Sequence, residues 1–317
     1  EEQCIYQTAP LELSFLRKLA ARLKRIGDDS LFYPVERPLL PPKKFNLYKA
    51  VQHRDVLLCY PYESFRPFVQ MLNEAANDPA VVSIKMTLYR VANDSKVIEA
   101  LVSAAENGKE VVAVLELRAR FDEQNNIDWS RQLEDAGCTV IYGFTDYKVH
   151  SKLLLITRKD EDGFHYISQI GTGNYNEKTS ELYTDLSYIT AKSTIGEEVA
   201  GVFNNLATEQ LTQHVDKLIV APLCFKTVLL REMEEEIRCQ MQGGKGRILL
   251  KCNSISDREI IEMLSKASVA GVPVDMIVRG ICCLQAGLPG LTDNIRVRSL
   301  VGRYLEHSRI YAFGTED

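Results

Sequence analysis

Apolar and polar positions recur along the chain in two rhythms, one typical of helices and one typical of strands. Apolar residues return every three or four positions over 11–26, 63–77, 95–107, 127–136, 225–241 and 257–270, which predicts helices there. Short apolar runs over 81–90, 111–117, 139–142, 183–190, 248–251, 274–278 and 295–299 predict strands. Because strands and helices alternate at this spacing, we expect an α/β fold with mainly parallel, covered sheets.

Four prolines interrupt these rhythms between residues 33 and 45. They occupy positions 34, 38, 41 and 42, where they exclude a central strand or a continuous helix, so the segment is interpreted as a linker. We therefore predict three parts. A helical segment with the linker fills 1–45, a first sheet-and-helix domain fills 46–218, and a second fills 219–317.

The two predicted domains share a short internal repeat, in which a helix, its glycine stop and a strand recur together. The second copy ends soon after its last apolar run, so we expect the second domain to be truncated. The repeat consists of Ile98, Glu99, Leu101, Gly108 and Val111, matched in order and spacing by Ile261, Glu262, Leu264, Gly271 and Val274.

Composition places the chain among ordinary globular proteins. It has 317 residues, of which 45% are hydrophobic and 26% are charged. A net charge of −5 argues against a nucleic-acid partner, since a polyanion would have to be held by a local basic cluster. The eight cysteines show no metal-ligand spacing, and no apolar run has membrane-spanning length. We expect reduced thiols and a cytoplasmic location.

A histidine followed two positions later by a cation occurs twice at the head of an apolar run. His150 precedes Lys152, and His307 precedes Arg309. On a strand, residues two apart face the same side. Histidine can accept a phosphoryl group or carry a proton near neutral pH, and Lys152 would keep a nucleophilic imidazole uncharged. A single such histidine is more often a core or surface residue, but two copies favour a shared catalytic cleft.

Glycines and arginines at the ends of predicted strands indicate phosphate binding. The stretch 171–174 offers backbone N–H groups to an anion. Arg90, Arg120 and Arg279 end or follow predicted strands, where open α/β sheets bind ligands and a guanidinium can hold two phosphate oxygens. Two acidic residues follow Arg120 and could bind Mg²⁺ or pair with that arginine. We favour pairing.

Longer strings carry a resemblance to a known family. The portion from residue 48 onward resembles the C-terminal catalytic portion of bacterial polyphosphate kinases, a type related in fold to phospholipase D. This resemblance implies two phospholipase D-like domains related by an internal repeat, the second truncated, after a short helical N-terminal segment. The strings that carry it are YPYESFRPFV, KMTLYRVANDSKVIEAL, ELRARFDEQNNI, KVHSKLLLI, GTGNYN, ELYTDLSY and EHSRIYAFG.

The resemblance also implies an activity, the reversible transfer of the terminal phosphate of ATP to inorganic polyphosphate through a phosphohistidine, with Mg²⁺ as cofactor. In KVHSK, His150 matches the phosphorylated histidine, and in EHSR, His307 matches a second catalytic histidine that assists proton transfer or nucleotide activation. The implied partners are ATP, ADP and polyphosphate, and the full-length protein is expected to be a homo-oligomer with peripheral membrane association.

Further site residues follow from the same resemblance. Tyr183 in ELYTD and Arg279 in IVRG match nucleotide-contacting positions, a role that His307 shares. Arg90 in TLYR and Arg120 in RARF match arginines at the Mg²⁺ and phosphate site, without being carboxylate ligands of the metal.

Two other classes of protein stay open at this point. A phospholipase D-like phosphodiesterase or nuclease would also use paired histidines and a phosphohistidine. The phospholipase D signature has an aspartate where this chain has Thr157, which disfavours that class. The remaining alternative is an inactive fragment that binds polyanions without turnover.

Overall fold

The computed structural model of the chain describes residues 12–27, 30–34, 36–89, 91–92, 94–116, 123–213 and 215–314, without the side chains of 123–126. The chain divides into two compact units, residues 1–37 and 38–317. The first unit contains the predicted helix, α1, over Phe15–Arg25. The described residues of the proline-rich linker form no helix or strand. The predicted boundaries at 45 and 218 stay predictions.

The second unit opens with a large sheet whose strand order is β1-β7-β6-β5-β2-β3-β4. Its strands are β1 Val56–Tyr60, β2 Val81–Leu88, β3 Glu110–Leu115, β4 Thr139–Ile141, β5 Leu153–Asp160, β6 Gly163–Gly171 and β7 Tyr183–Thr190. Its helices are α2 Leu47–Val51, α3 Arg66–Asn77, α4 Lys96–Glu106, α5 Glu123–Asp135 and α6 Ser193–Ala207.

This first sheet is mixed, so the expectation of a mainly parallel sheet is wrong for it. Strands β2, β3 and β4 are parallel, whereas β1, β7, β6, β5 and β2 pair antiparallel. The connection between β5 and β6 explains part of the difference. Only residues 161 and 162 separate the two strands, and a parallel crossover needs a dozen or more residues.

Helices cover both faces of the first sheet. On β5, Leu154 and Ile156 belong to the core that α3 and α4 complete, while Leu153 and Leu155 belong to the core that α6 completes. Side chains alternate between the two faces of a strand, so a strand buried on both faces reads as a continuous apolar run. The run after Lys152 is therefore a doubly covered strand.

The second sheet has four strands in the order β10-β9-β8-β12, with β12 antiparallel to β8 and the others parallel. A separate short strand, β11 Leu305–Glu306, pairs with β7 of the first sheet. The remaining elements are α7 Phe225–Met241, β8 Ile248–Cys252, α8 Arg258–Val269, β9 Val274–Val278, β10 Ile295–Arg298 and β12 Ile310–Phe313.

The helices of the predicted repeat lie in matching places. Helix α4 connects the parallel strands β2 and β3, and α8 connects the parallel strands β8 and β9. Each helix is followed by a glycine with positive φ, Gly108 at 78° and Gly271 at 89°. Glycine adopts this left-handed conformation without steric cost. These are local agreements, and the repeat as a whole stays a prediction. Among the described residues, none of the helices has both the length and the apolar character needed to cross a membrane.

Candidate active site

His150 lies on the segment that leads into β5. The strand begins at Leu153, so His150 and Lys152 precede it instead of lying on it. His150 is exposed, whereas Lys152 is only 5% exposed. The pair thus differs from the expected arrangement of two side chains on one strand face. His150 can be reached from solvent, and the lysine is buried.

Two buried side chains hold this segment on either side of His150. The Thr87 hydroxyl, at the end of β2, donates to the Ser151 carbonyl (2.8 Å) and accepts from the Leu153 N–H (3.0 Å). Glu116, which is 2% exposed, accepts from the Val149 N–H at 2.9 Å. The Thr87 bonds replace ladder bonds where β2 and β5 stop pairing, because a buried backbone group needs a partner. The backbone of His150 is therefore fixed while its ring is exposed.

An aromatic ring and a cation surround the His150 ring. Lys152 donates from Nζ to the His150 carbonyl oxygen. The same Nζ lies 4.9 Å from the centre of the Tyr89 ring, which packs edge-on against the His150 imidazole with centroids 4.6 Å apart. A cation over an aromatic face is favourable. The Lys152 ammonium is thus held at the backbone of His150 and over the ring that packs against the imidazole.

A cavity of about 500 Å³ opens beside His150 and Lys152. Its opposite wall comes from α6, through Val202 and Leu206, and from the connection after that helix. Most of this wall is apolar. The cavity therefore suits an apolar or aromatic group better than it suits a chain of phosphates.

The second histidine reaches the first sheet through β11. Glu306 pairs with Thr184 of β7, and the N–H groups of His307 and Ser308 both donate to the Thr184 carbonyl, at 3.3 and 2.8 Å. His307 is 8% exposed. One short strand thus brings this residue, from the C-terminal part of the chain, to the first sheet at the start of β7.

A buried carboxylate binds the His307 ring. The Nδ1 of His307 lies 2.9 and 3.0 Å from the two carboxylate oxygens of Asp185, which is 5% exposed. Because a carboxylate accepts, we assign a proton to Nδ1, which leaves Nε2 as the acceptor in the neutral ring. The Thr172 hydroxyl also donates to Asp185, at 2.6 Å. Asp185 thus orients the imidazole and selects its tautomer.

Strand register brings the two histidines to the same end of the first sheet, the end at which β5 and β7 begin. The Gly171 N–H donates to the Lys152 carbonyl (2.9 Å), and the Thr172 N–H donates to the Leu186 carbonyl (3.0 Å). The segment of His150, the glycine-rich turn and β7 are therefore neighbours in that order. Two strand spacings, about 10 Å, separate the backbone that carries His150 from the backbone that carries Asp185.

The glycine-rich turn permits a close approach. A Cβ atom on Gly173 would lie 2.6 Å from Oδ2 of Asp185, closer than two such atoms can approach. Any larger residue at this position would displace the carboxylate that binds His307.

Of the other predicted site residues, two lie next to His307. The Tyr183 ring centroid is 5.2 Å from that of His307, and the Arg279 guanidinium donates to the Glu306 carbonyl at 2.9 Å. Arg90 and Arg120 lie outside the described residues. The structure therefore brings together Tyr183, Arg279 and His307.

Charged neighbours of His307 have shifted pKa values. Burial by itself would raise the pKa of Glu306, but hydrogen bonds from Lys251 and Thr184 outweigh it and lower that pKa below its usual value. Burial lowers the pKa of Arg309, whose guanidinium donates to the His307 carbonyl at 3.0 Å. Arginine remains charged nonetheless. The backbone around His307 is thus enclosed by charged side chains.

Sequence reasoning missed several residues of this site: Thr87, Tyr89, Glu116, Asp185 and Lys251. A signal existed for Asp185, because it lies two residues after Tyr183 on one strand and therefore on the same face. No comparable signal marks Thr87 or Glu116, whose contacts are to the backbone of a distant segment.

Comparisons with known proteins agree along the chain. The family model described as polyphosphate kinase C-terminal domain 1 matches residues 46–212, and the model of C-terminal domain 2 matches 218–317. The chain is 46% identical over 311 residues to a polyphosphate kinase of Staphylococcus epidermidis, covering 97% of this chain and 42% of the relative. It is 44% identical over 318 residues to one of Bacillus cereus, covering 99% and 45%.

A solved structure shows the same likeness. The crystal structure of polyphosphate kinase from Porphyromonas gingivalis matches 90% of this chain and 48% of that protein, with a TM-score of 0.81 and 37% sequence identity. The chain thus spans less than half the length of the relatives named above.

Proposed function

Since the chain belongs to the polyphosphate kinase family, we propose that it carries the phosphotransfer centre of such an enzyme, with His150 as the residue that is transiently phosphorylated. The observation that carries the proposal is the exposed His150 ring on a rigidly held backbone, at the same sheet edge as the buried His307–Asp185 pair. ATP, ADP and inorganic polyphosphate are the substrates.

The reaction consists of two displacements at phosphorus. The unprotonated nitrogen of His150 donates its lone pair to the γ-phosphorus of ATP, an N–P bond forms, and the bond to the β–γ bridging oxygen breaks with its electron pair leaving on ADP. A terminal oxygen of polyphosphate then attacks the same phosphorus, and the N–P bond returns its electrons to the imidazole. Each step runs in reverse with the same groups. Lys152, whose Nζ donates to the His150 carbonyl, is a nearby cation that disfavours the imidazolium, which could not attack.

His307 acts on the nucleotide side of this exchange. Its Nδ1–H is directed at Asp185, so its Nε2 accepts a proton or, when protonated, donates one to a phosphate oxygen. Tyr183 and Arg279, which lie next to it, contact the nucleotide, with Arg279 on phosphate. We propose that Arg90 and Arg120, outside the described residues, bind the phosphates near the metal.

Mg²⁺ is proposed as a companion of the nucleotide. In the part of the chain that the structure describes, no three His, Cys, Asp or Glu side chains lie together so as to hold a metal ion. Mg²⁺ commonly binds substrate phosphates and water with only one or two protein carboxylates, so this side-chain set fits a metal that arrives with ATP. When bound there, Mg²⁺ would neutralise charge on the transferred phosphoryl group.

For the fold, we propose that residues 46–218 and 219–317 form two related phospholipase D-like domains. The matching places of α4 and α8 between parallel strands support this division.

The test is the intact mass of the protein after incubation with ATP and Mg²⁺, and separately with polyphosphate. We expect one added, acid-labile phosphoryl group, absent from His150→Ala and still present on His165→Ala. His165 is a suitable control because it is exposed and pairs with Asp160 at the far end of β5. An added phosphoryl group on the His150→Ala protein would contradict the assignment, as would no addition to the folded wild-type protein from either donor.

A further inference from the structure

The segment around His307 crosses from one sheet to the other. Glu306 pairs with β7 of the first sheet, and Ile310 pairs with Lys251 on β8 of the second sheet. His307 itself lies in neither strand. Its position against Asp185 therefore depends on what holds this crossover, residues 306–309, in place.

One ammonium group contacts both sequence neighbours of His307. The Nζ of Lys251 lies 2.6 Å from a carboxylate oxygen of Glu306 and 2.6 Å from the Ser308 hydroxyl. The same Glu306 oxygen accepts from the Thr184 hydroxyl at 2.9 Å, so the contact extends from β8 to β7. The side chains of Lys251 and Glu306 are only 14% and 18% exposed. A largely enclosed ion pair of this kind is costly to break from one side.

The first histidine has a counterpart of this arrangement. Leu154, four residues after His150, pairs with Met86, and Tyr311, four residues after His307, pairs with Leu250. Thr87 and Lys251 are the next residues of β2 and β8, so they occupy equivalent register positions. Thr87 donates to the residue that follows His150, and Lys251 donates to the residue that follows His307.

We propose that Lys251 is a positioning residue for His307, which holds the crossover so that the imidazole stays against Asp185. Lys251 is outside the phosphate-binding set proposed above, because both of its contacts are directed at the crossover. The proposal rests on the proposed function for its effect on rate. The placement of the ring can be measured without any activity.

Loss of Lys251 has a direct physical consequence. Lys251→Met removes the charge and both contacts. Among the described residues, this leaves the enclosed Glu306 carboxylate with the Thr184 hydroxyl as its remaining partner. The crossover then shifts to expose the carboxylate to water, and His307 moves with it. A displacement of about 1 Å at a catalytic group lowers rates by roughly 100-fold.

Nuclear magnetic resonance of ¹⁵N-histidine-labelled protein tests the placement. The chain has five histidines, so few signals overlap, and His307→Gln assigns the signal of His307. We expect the His307 Nδ1–H signal to shift or broaden in Lys251→Met and to persist in Lys251→Arg. Lys266→Met, the same change at an exposed lysine on α8, should leave the signal in place. An unchanged His307 signal in folded Lys251→Met would overturn the proposal.

A second variant covers the case in which Lys251→Met does not fold. Ser308→Ala removes one of the two Lys251 contacts and leaves the ion pair with Glu306 intact. It should shift the same signal by a smaller amount. No shift in Ser308→Ala, with Lys251→Met unfolded, would also count against a positioning role.

Rates of phosphoryl transfer provide an independent test. We expect Lys251→Met to slow transfer by about 100-fold in the wild-type background and to have almost no effect when His307 is already alanine. Equal losses in both backgrounds would mean that Lys251 only stabilises the fold. If the wild-type protein transfers no phosphate, the proposed function fails, while the His307 signal still decides the role of Lys251.

Discussion

His150 and His307 each precede an antiparallel strand by three residues, yet the first is exposed and the second is 8% exposed. A carboxylate lies near each of them but contacts different groups. Glu116 binds the backbone N–H before His150, whereas Asp185 binds the imidazole of His307. In the first case the carboxylate holds the backbone beside an exposed histidine, and in the second it binds the ring itself.

The difference follows from how each segment enters its sheet. The segment of His150 runs directly into β5, so a single threonine completes its pairing with β2. The crossover of His307 joins two sheets and is enclosed by both. The same short sequence pattern thus gives an exposed histidine where one sheet receives it, and a buried histidine with an oriented ring where two sheets enclose it.

Asp185→Asn should have the largest effect, because it replaces the carboxylate that binds the imidazole of His307. Asparagine keeps the shape but can present an N–H to Nδ1, which selects the other tautomer. We expect phosphoryl transfer to slow by roughly 10³-fold, within the range for loss of general acid–base catalysis. The rate should be measured from ATP with the protein verified as folded.

Asp55→Asn is the matched control for that change. Asp55 accepts from Tyr188 and Thr190 at the other end of β7, so the same substitution there tests the strand without touching His307. A comparable loss of rate in both variants would remove the distinction drawn for Asp185.

Thr87→Val should lower the free energy of unfolding, because it removes the hydroxyl that holds the backbone beside His150. The Leu153 N–H loses its buried partner, and an unsatisfied buried group costs about 1–3 kcal/mol. The Ser151 carbonyl also loses a partner, but Ser151 is exposed and its carbonyl can bond to water. We expect the free energy of unfolding to fall by about 1–3 kcal/mol in denaturant titrations. Thr87→Ser keeps the hydroxyl and should lose much less. A Thr87→Val protein as stable as the wild type, or less destabilised than Thr87→Ser, would show that the hydroxyl bonds do not hold this segment.

Much of this fold can be predicted from the sequence. Helix α7 and strands β7 and β9 have the predicted bounds, because each is a periodic or apolar run flanked by clear stops. Strand β1 and helix α2 were not predicted, since each has only five residues and gives little periodicity. Sheet direction was predicted wrongly for the first sheet. The spacing of apolar residues shows that a segment is a strand, but whether two strands pair in parallel or antiparallel depends on contacts between distant segments.

The residues of the candidate site likewise fall into two groups, those with a local signal in the sequence and those without one. His150, Lys152 and His307 carry a local signature, a histidine two positions before a cation, and the sequence indicates them directly. Asp185 and Lys251 act on a residue more than fifty positions away in the chain. Their roles arise from register between strands, which a single sequence does not reveal.

Gly173→Ala should disturb the His307 side by a smaller amount. The added Cβ would lie 2.6 Å from Oδ2 of Asp185, so the carboxylate or the turn must move, at a cost of about 1–3 kcal/mol. Gly201→Ala is the control, because that glycine lies inside α6 and a Cβ there meets nothing within 4 Å. We expect the control to be neutral or to gain up to about 1 kcal/mol. The unfolding temperatures of the two variants show whether the close approach of Gly173 to Asp185 makes the added Cβ destabilising.

The smallest effect concerns acid stability of the crossover. Hydrogen bonds from Lys251 and Thr184 hold the pKa of Glu306 below its ordinary value of 4.5, against the opposing effect of burial. A carboxyl whose pKa is lower in the folded state stabilises the fold above its ordinary pKa. That contribution is lost as the pH falls through the folded pKa, when both states become protonated. The wild-type protein should therefore exceed Glu306→Gln in unfolding free energy at pH 7, and the difference should narrow below pH 4.5.

Glu262→Gln provides the comparison for this titration. Glu262 pairs with Arg258 on the exposed surface of α8, where solvent screens the interaction. Its effect on the unfolding free energy should be close to zero at neutral pH and should change little on acidification. If the difference for Glu306→Gln is likewise constant from pH 7 to pH 3, Glu306 does not titrate with the fold. The crossover would then be held by its backbone bonds to Thr184 and by the Arg279 guanidinium, without a contribution from the Glu306 carboxylate.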